Sequence, residues 1–176
     1  MVIETKLKGV YVFEPRRFAD ARGFFARCWS LKEMPGWEGV AAVESNVSFN
    51  LRRGTLRGMH YQAAPHGQAK IVRCTRGSIY DVVIDLRPDS PTFKQWVGVE
   101  LTAGNRLTLC VPGDFAHGFQ TLEDETEVFY LVSNFYAPDA QRGVRWNDPA
   151  FGIEWPEVPE RVMTDRDRDY PDFTAV

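Results

Sequence analysis

The chain of 176 residues carries 24 acidic and 21 basic side chains, for a formal net charge of −3 at pH 7. This balance excludes the strongly basic surface with which proteins bind nucleic acid or an anionic membrane. Hydrophobic residues make up 44% and charged residues 26% of the sequence, as in ordinary globular proteins. We therefore expect a single domain over residues 1–176, with neither nucleic acid nor a membrane as its partner.

The predicted elements are short apolar runs that recur along the chain, each ended by a turn residue such as Gly, Pro or Asn. The runs cover 9–13, 70–74, 79–86, 96–101, 107–111 and 127–132. Many short strands at this spacing indicate an all-β sandwich or barrel. Helical turns are expected only at 30–34 and in the tail after residue 156.

The three cysteines, Cys28, Cys74 and Cys110, form no CxxC pair. Their odd number argues against a disulfide framework, and their spacing argues against a zinc knuckle. Cys74 and Cys110 lie in apolar runs, which predict buried thiols. Because the N-terminal residues contain no apolar stretch of the secretion-signal type, we expect a cytoplasmic protein.

A basic cluster places Arg57, His60 and Lys70 within fourteen residues of a β-rich segment. An imidazole takes up a proton near neutral pH, and a neighbouring cation can hold an anion or the oxyanion that proton loss creates. A strand would place Met59 and Tyr61 on the face opposite His60. The cluster predicts proton abstraction next to a carbonyl on a phosphate-bearing substrate, with a hydrogen-bonded core histidine as the structural alternative.

The other histidines bear on whether the chain holds a metal. His66 is expected in a solvated loop, whereas His117 follows a turn that leads into a strand and could be either a site residue or a packed one. The position two residues after His60 is Gln62, so the His-x-His pair common in metal-binding β-barrels is missing. Two inward histidines are too few for a usual metal site, and we expect none.

The base needs partners that sequence spacing does not choose. The tail is a run of alternating charge that contains three carboxylates, Asp165, Asp167 and Asp169. Any of them could contact Nδ1 of His60, although such a run usually forms a solvated face. An acid opposite the base would be needed to invert a stereocentre, and Tyr130 and Tyr136 are its candidates unless they serve as core or rim tyrosines.

Together these residues are similar to the dTDP-4-dehydrorhamnose 3,5-epimerase family, and the likeness covers nearly the whole chain. The motifs that carry it are Asp20-x-Arg22-Gly23-x-Phe25, Asn46-x-Ser48, Leu56-Arg57-Gly58-Met59-His60-Tyr61-Gln62, Lys70-Ile71-Val72-Arg73, Asp81-Val82-Val83-Ile84-Asp85-Leu86-Arg87, Ser90-Pro91-Thr92-Phe93, Pro112-x-x-Phe115-Ala116-His117-Gly118-Phe119, Phe135-Tyr136-Ala137-Pro138, Asp148-Pro149 and Ile153-Glu154-Trp155-Pro156. The resemblance implies a cupin-like jelly-roll barrel with short peripheral helices, a homodimer, and no required cofactor or metal.

The resemblance also implies catalytic roles for individual residues. His60 matches the family's base, and Asp167 matches the carboxylate that pairs with it. Lys70 matches the lysine that stabilises the enolate at the C4 oxygen. Tyr130 matches the tyrosine that returns a proton from the other face of the sugar.

Substrate contacts are expected from Arg22, Phe25, Arg27, Glu44, Asn46, Arg57, Gln62, His117 and Tyr136. Among them, Arg22 and Arg57 match residues that hold the sugar or the diphosphate. Phe25 and Tyr136 match the aromatic pair that sandwiches the nucleobase.

Two of these positions depart from the family pattern. Arg27 stands where the family commonly has Glu, and Glu44 stands where it has Gln. In the family both positions lie near the nucleobase, so the departures change the charge and the hydrogen-bond donors there. The two side chains are expected either to neutralise each other as a rim ion pair, which we prefer, or to read a base other than thymine.

We therefore predict an isomerase that inverts C3, C5 or both in a nucleotide-linked 4-keto-6-deoxyhexose. The conversion of dTDP-4-dehydro-6-deoxyglucose to dTDP-4-dehydrorhamnose is the preferred reaction. Inversion at one carbon and a carrier other than dTDP stay open. So do two functions of another class: a metal-dependent cupin enzyme and a sugar-binding module without catalysis.

Overall fold

A computed structural model describes residues 1–174 of the chain. In chain order its strands are β1 (Val2–Glu4), β2 (Tyr11–Phe13), β3 (Arg17–Asp20), β4 (Gly23–Ala26), β5 (Glu44–Asn50), β6 (Leu56–Gln62), β7 (Lys70–Arg76), β8 (Ser78–Asp85), β9 (Trp96–Thr102), β10 (Thr108–Val111), β11 (Phe115–Thr121), β12 (Thr126–Val132) and β13 (Gln141–Gly143). Helical structure in these residues is confined to the 3-10 helices Leu31–Glu33 and Pro138–Ala140 and the short helix α1 (Asp165–Arg168). Within 1–174, then, no helix has the length and apolar character needed to cross a membrane.

Two antiparallel sheets face each other across the core. The first has the strand order β1-β2-β10-β7-β12-β5, and the second has the order β13-β6-β11-β8-β9. Strands β3 and β4 form a separate two-stranded hairpin. The predicted all-β, cupin-like jelly roll is confirmed.

Alternation of side chains along the strands builds the core between the sheets. On β8, Ile79 and Val83 point inward and pack with Val72 of β7 and Val128 of β12. Burying each such side chain stabilises the fold by roughly 1.5–3 kcal/mol relative to leaving it exposed. The predicted burial of the Cys74 and Cys110 thiols is also confirmed.

The predicted strands agree with the observed ones to within two residues at most ends, and the helical turns predicted near residue 31 and in the tail are present. Strand β5 was not predicted, because its pattern is inverted. Its polar residues Asn46 and Ser48 share the inward face of the strand with the buried Asn50, while Val47 and Phe49 are exposed. Because the inward residues of β5 are polar and its exposed residues are apolar, the pattern does not show which face of the strand is buried.

A close approach of β6 and β11 depends on two glycines. A Cβ on Gly58, whose φ is +144°, would lie 2.6 Å from the Cα of Gly118. Only glycine permits both that backbone conformation and that distance. Beside this contact the register pairs His60 with His117, so two histidines face the space between the sheets.

Candidate active site

A cavity of about 600 Å³ lies between the two sheets and is closed on one side by α1. This volume is typical of pockets for small organic ligands. The sequence-predicted site residues that line it are Arg57, His60, Gln62, Lys70, His117, Tyr130, Tyr136 and Asp167. Strands from both sheets and the C-terminal tail thus bring together residues that are far apart in the sequence.

His60 on β6 contacts Asp167 on α1, with 2.7 Å between Nε2 and Oδ1. The other carboxylate oxygen of Asp167 accepts a hydrogen bond from the backbone N–H of Gly58 at 3.3 Å. Helix α1 begins at this point because the hydroxyl of Thr164 accepts a hydrogen bond from the Asp167 N–H. A buried carboxylate so placed keeps a proton on Nε2, which leaves Nδ1 as the proton acceptor.

Among the three tail carboxylates, Asp167 is the one that the fold brings to the base. Asp165 is exposed and accepts a hydrogen bond from Arg168 at 2.9 Å, and Asp169 is also exposed. The prediction that the carboxylate contacts Nδ1 of His60 is wrong, because the ring turns Nε2 toward α1.

Lys70 on β7 and His117 on β11 form the inner wall of the cavity. Burial lowers the pKa of the Lys70 ammonium to about 8, and the negative charge of Asp81 opposes this effect. Nε2 of His117 lies 2.6 Å from Oδ1 of Asp81. Burial lowers the pKa of His117, so its ring is neutral at pH 7. Lys70 is therefore the charged donor here and His117 a neutral one.

Tyr130 lies on β12, opposite Asn46 of β5 and Val72 of β7. Burial raises the pKa of its phenol, Arg57 lowers it, and Glu44 raises it. The phenol therefore keeps its proton at neutral pH, as an acid that donates to substrate must. The pairing also places Asn46 next to Tyr130, although Asn46 itself does not reach the cavity lining.

Gln62 has a supporting role that its sequence position did not reveal. Its amide donates to the backbone carbonyl oxygens of His66 and Phe135, and it accepts a hydrogen bond from the Ala137 N–H at 2.7 Å. These bonds fasten the segment that carries Tyr136 at the rim of the cavity. His66 itself is exposed, as predicted.

The hairpin residues predicted to bind substrate do not reach this cavity. The ring of Phe25 is 71% exposed and contacts Phe18, with 6.5 Å between centroids, so it forms no sandwich with Tyr136 of its own chain. Arg22 is exposed and pairs with Asp20 of the same hairpin.

The predicted ion pair between Arg27 and Glu44 is wrong. Arg27 instead donates to Glu33 at 2.8 Å. The reason is local, since the 3-10 helix Leu31–Glu33 follows β4 closely and turns Glu33 back toward the strand. Glu44 is exposed at the start of β5 and does not line the cavity.

Among the lining residues that sequence reasoning did not assign to the site are Ser48, Thr164 and Arg166. The hydroxyl of Ser48 is buried and has no hydrogen-bond partner within residues 1–174. Its spacing from Asn46 already indicated a shared face, and Arg166 directly precedes Asp167. Together with Lys70 and Arg57, Arg166 gives the cavity three cationic side chains.

Within residues 1–174, no three His, Cys, Asp or Glu side chains are grouped so that they could hold a metal ion.

Residues 4–175 match the family model described as dTDP-4-dehydrorhamnose 3,5-epimerase. The enzyme of that name from Shigella flexneri is 44% identical over 168 residues, which cover 94% of this chain and 92% of that protein. The chain belongs to the dTDP-4-dehydrorhamnose 3,5-epimerase family. The predicted family and enzyme class are thereby confirmed.

Solved structures of the epimerase family agree with this membership. The dTDP-4-dehydrorhamnose 3,5-epimerase of Bacillus anthracis, with TDP and PPi bound, is 44% identical, with a TM-score of 0.91 over 98% of this chain and 99% of that one. A 3'-monoepimerase from Streptomyces bikiniensis, in complex with dTDP-quinovose, is 34% identical, with a TM-score of 0.87 over 96% and 85%. These ligands support the predicted nucleotide-sugar substrate.

Proposed function

We propose that this chain inverts C3 and C5 of dTDP-4-dehydro-6-deoxyglucose to give dTDP-4-dehydrorhamnose. The observation that carries the proposal is that His60 and Tyr130 come from opposite sheets and line one cavity. A base and an acid on opposite walls reach opposite faces of a sugar ring. Inversion of a stereocentre requires that arrangement.

The C4 ketone of the sugar acidifies the protons at C3 and C5. His60, oriented by Asp167, takes one of these protons on Nδ1, and the electron pair moves to the C4 oxygen. Lys70, with its pKa near 8, is mostly an ammonium at pH 7 and stabilises the enolate oxygen. One well-placed donor of this kind lowers the barrier by ~3–4 kcal/mol.

Tyr130 then returns a proton to the opposite face of the same carbon. The phenolate regains a proton from solvent, and His60 releases its proton to solvent, so the net reaction is an isomerisation. Because both protons exchange with water, each inverted carbon acquires solvent hydrogen. We propose no cofactor or metal for this chemistry.

The diphosphate of the substrate needs cationic partners at the cavity. Arg57 donates its Nε to Oδ1 of Asn50 at 2.7 Å and its Nη2 to the backbone carbonyl oxygen of Phe49 at 3.5 Å, and its remaining N–H groups are left for the substrate. Arg166 is exposed and lies with Tyr136 among the lining residues. We propose that Arg57 and Arg166 bind the diphosphate, and that Tyr136 stacks on the base.

We further propose a homodimer in which each hairpin reaches the cavity of the partner subunit. Phe25 and Arg22 project from β4 and the preceding turn without contacting their own cavity. The edge strand β5 beside the cavity also exposes Val47 and Phe49, an apolar surface that a second copy would cover. Phe25 and Arg22 of the partner subunit would then complete the nucleotide site.

The hairpin is held in place by cation–π contacts. Phe24 lies between the guanidinium groups of Arg17 and Arg106, at 5.2 and 4.9 Å from its ring centroid. Arg17 also donates to the backbone carbonyl oxygen of Gly104. These contacts leave the neighbouring Phe25 free to meet a partner.

The contacts of Arg27 and Glu44 bear on which nucleotide carries the sugar. Since Arg27 is neutralised by Glu33, neither Arg27 nor Glu44 is arranged to read a base in preference to thymine. We therefore propose dTDP as the carrier. A residual alternative is inversion at C3 alone, because the Streptomyces bikiniensis relative is a 3'-monoepimerase with the same fold.

Incubation with dTDP-4-dehydro-6-deoxyglucose in D₂O tests the proposal, with NMR used to count the exchanged and inverted carbons. Deuterium and inversion at both C3 and C5 are expected, and His60→Ala should abolish both. His66→Ala is the matched control, because His66 is exposed and outside the cavity. Deuterium at C3 alone would indicate a monoepimerase, and no exchange at any carbon would indicate a binding module.

Two companion measurements cover the remaining alternatives. The same assay with CDP- and GDP-linked sugars would reveal another carrier if either turned over faster than the dTDP sugar. Elemental analysis, with activity measured after chelation, would reveal a metal-dependent enzyme.

We also propose a single domain over 1–176 and a cytoplasmic location. The three free thiols are consistent with a reducing compartment, and the net charge of −3 gives no reason to expect nucleic acid or a membrane as a partner.

A further inference from the structure

The C-terminal tail passes from the cavity to the other side of the second sheet. Asp167 contacts His60 on the inner face of β6. Tyr170 then lies over β13, which is the edge strand of this sheet. Phe173 packs against the apolar cluster on the outer face of the same sheet. The part of the tail after α1, residues 169–174, therefore wraps the edge of the sheet, and we call it the strap.

Helix α1 depends on anchors outside itself. It has four residues, and an isolated helix of that length is unstable in water because its nucleation is unfavourable. On the N-terminal side of α1, Val162 donates a backbone hydrogen bond to Gly54 at 3.0 Å and accepts one from Leu56 at 2.9 Å. An anchor on the C-terminal side is also needed if Asp167 is to stay against His60.

Asp148, in the loop after β13, supplies the polar part of this anchor. Its side chain is buried, with the residue 1% exposed. Oδ1 accepts a hydrogen bond from the Ala150 N–H at 2.8 Å, and Oδ2 accepts one from the Phe173 N–H at 2.5 Å. Hydrogen bonds to an ionised group are stronger than those between neutral groups. One oxygen of Asp148 thus stabilises its own loop, and the other holds the backbone of the strap.

The ring of Phe173 supplies the apolar part of the anchor. Its centroid lies 5.2 Å from that of Phe151 and 6.2 Å from that of Phe93, which meets it edge-on. Nζ of Lys94 lies 5.6 Å from the same ring centroid. Aromatic pairs at these separations stabilise a packed arrangement beyond the area that they bury. The backbone and the side chain of Phe173 are therefore held by separate groups.

We infer that Asp148 and Phe173 are positioning residues that anchor the strap and thereby keep Asp167 against His60. The inference rests on the role proposed above for His60 as the base. Neither Asp148 nor Phe173 lines the cavity, so both act through the tail. Release of the strap would leave α1 with its N-terminal anchor alone, and the 2.7 Å contact that orients the base would be lost.

Hydrogen exchange with millisecond labelling tests the anchor without substrate. Asp148→Asn replaces one carboxylate oxygen by an NH₂ group, which cannot accept from a backbone N–H, and Phe173→Ala removes the ring. In each variant the amides of α1 should exchange about tenfold faster or more, while those of β8 and β11 are unchanged. Asp172→Asn is the matched control on the same strap. It removes only an exposed ion pair with Arg145 and should change α1 exchange by less than about twofold.

A double-mutant cycle tests whether the strap acts through Asp167. Phe173→Ala should lower kcat by about tenfold in the wild type. In the Asp167→Asn background the same change should cost less than about twofold, because the contact that the strap supports is already lost. A purely structural role would lower kcat by the same factor in both backgrounds, and that result would overturn the inference.

Unchanged exchange of α1 in folded Phe173→Ala would overturn the inference as well, even if Asp148→Asn does not fold. Ile79→Val is the control for lost stability, because Ile79 lies in the core between the sheets and the change should leave kcat unaltered. If the wild type shows no turnover while α1 exchanges faster in the variants, the proposed reaction fails and the anchoring of α1 by the strap stands.

Discussion

The ring of Tyr170 stands edge-on to the ring of His60, with 6.4 Å between the centroids. Tyr170 follows α1 and also lies over Gly143 of β13, which pairs with His60 in the sheet. One aromatic ring thus connects the helix that carries Asp167 to the strands that carry the base. The contact between the base and its carboxylate depends on this packing.

Replacing Gly143 should disturb the base without touching it. In Gly143→Ala the new Cβ would lie 2.3 Å from a ring carbon of Tyr170, so the ring and the attached tail must shift. We expect kcat to fall by about tenfold or more while KM changes little, since small misplacements of a catalytic group are costly. Gly104→Ala is the control, because a Cβ there meets nothing closer than 3.6 Å. Equal kinetics for the two variants would show that Tyr170 does not position the base.

The tail carboxylates should differ sharply in their effects. Asp167→Asn removes the charge that orients His60, and we expect turnover to fall by about 10³-fold or more, as for orienting carboxylates in other enzymes. Asp165→Asn and Asp169→Asn change exposed groups on the same short tail and should stay within a fewfold of the wild type. Steady-state kinetics on the three variants gives the comparison. Similar losses in all three would mean that the tail acts through its overall charge.

Replacing Tyr130 by Phe should separate proton removal from inversion. The variant keeps the ring and loses only the hydroxyl, while His60 and Lys70 remain on their own strands. Deuterium should therefore still enter from D₂O at the carbon that His60 deprotonates, while the inverted product falls. NMR of the sugar carbons measures both at once. If inversion proceeds at the wild-type rate, another group is the acid and Tyr130 only packs.

Mixing two weakened variants tests the proposed exchange of hairpins between subunits. His60→Ala lacks the base, and Phe25→Ala lacks the ring offered to the partner. In a mixed dimer, one cavity combines an intact His60 with Phe25 of the partner subunit. After equal amounts are unfolded and refolded together, activity should approach about a quarter of the wild-type value, because half of the dimers are mixed and each has one complete site. Activity no higher than the mean of the two variants kept apart would place Phe25 outside the partner's cavity.

Local sequence patterns determined most of the strands. In β8 and β12, short apolar runs lie between turn residues, and this signal depends only on neighbours in the chain. The same signal failed for β5, where the polar Asn46 and Ser48 lie on the inward face and Ser48 lines the cavity. An apolar pattern therefore finds strands that face the core, and it misses a strand such as β5 whose inward side chains are polar.

The sequence also determined which residue types carry the chemistry. His60 and Lys70, close to Arg57 in the chain, already indicated a base and a donor for the oxyanion. Only the tertiary structure selected Asp167, which lies 107 residues from His60 in the chain. Successive residues of α1 point in different directions, so one of its two carboxylates faces the sheet and the other faces water. Likewise, only the fold paired Arg27 with Glu33 and set Asp81 beside His117. The partner of a charged side chain depends on how segments far apart in the chain pack together. A local sequence pattern contains no information about that packing.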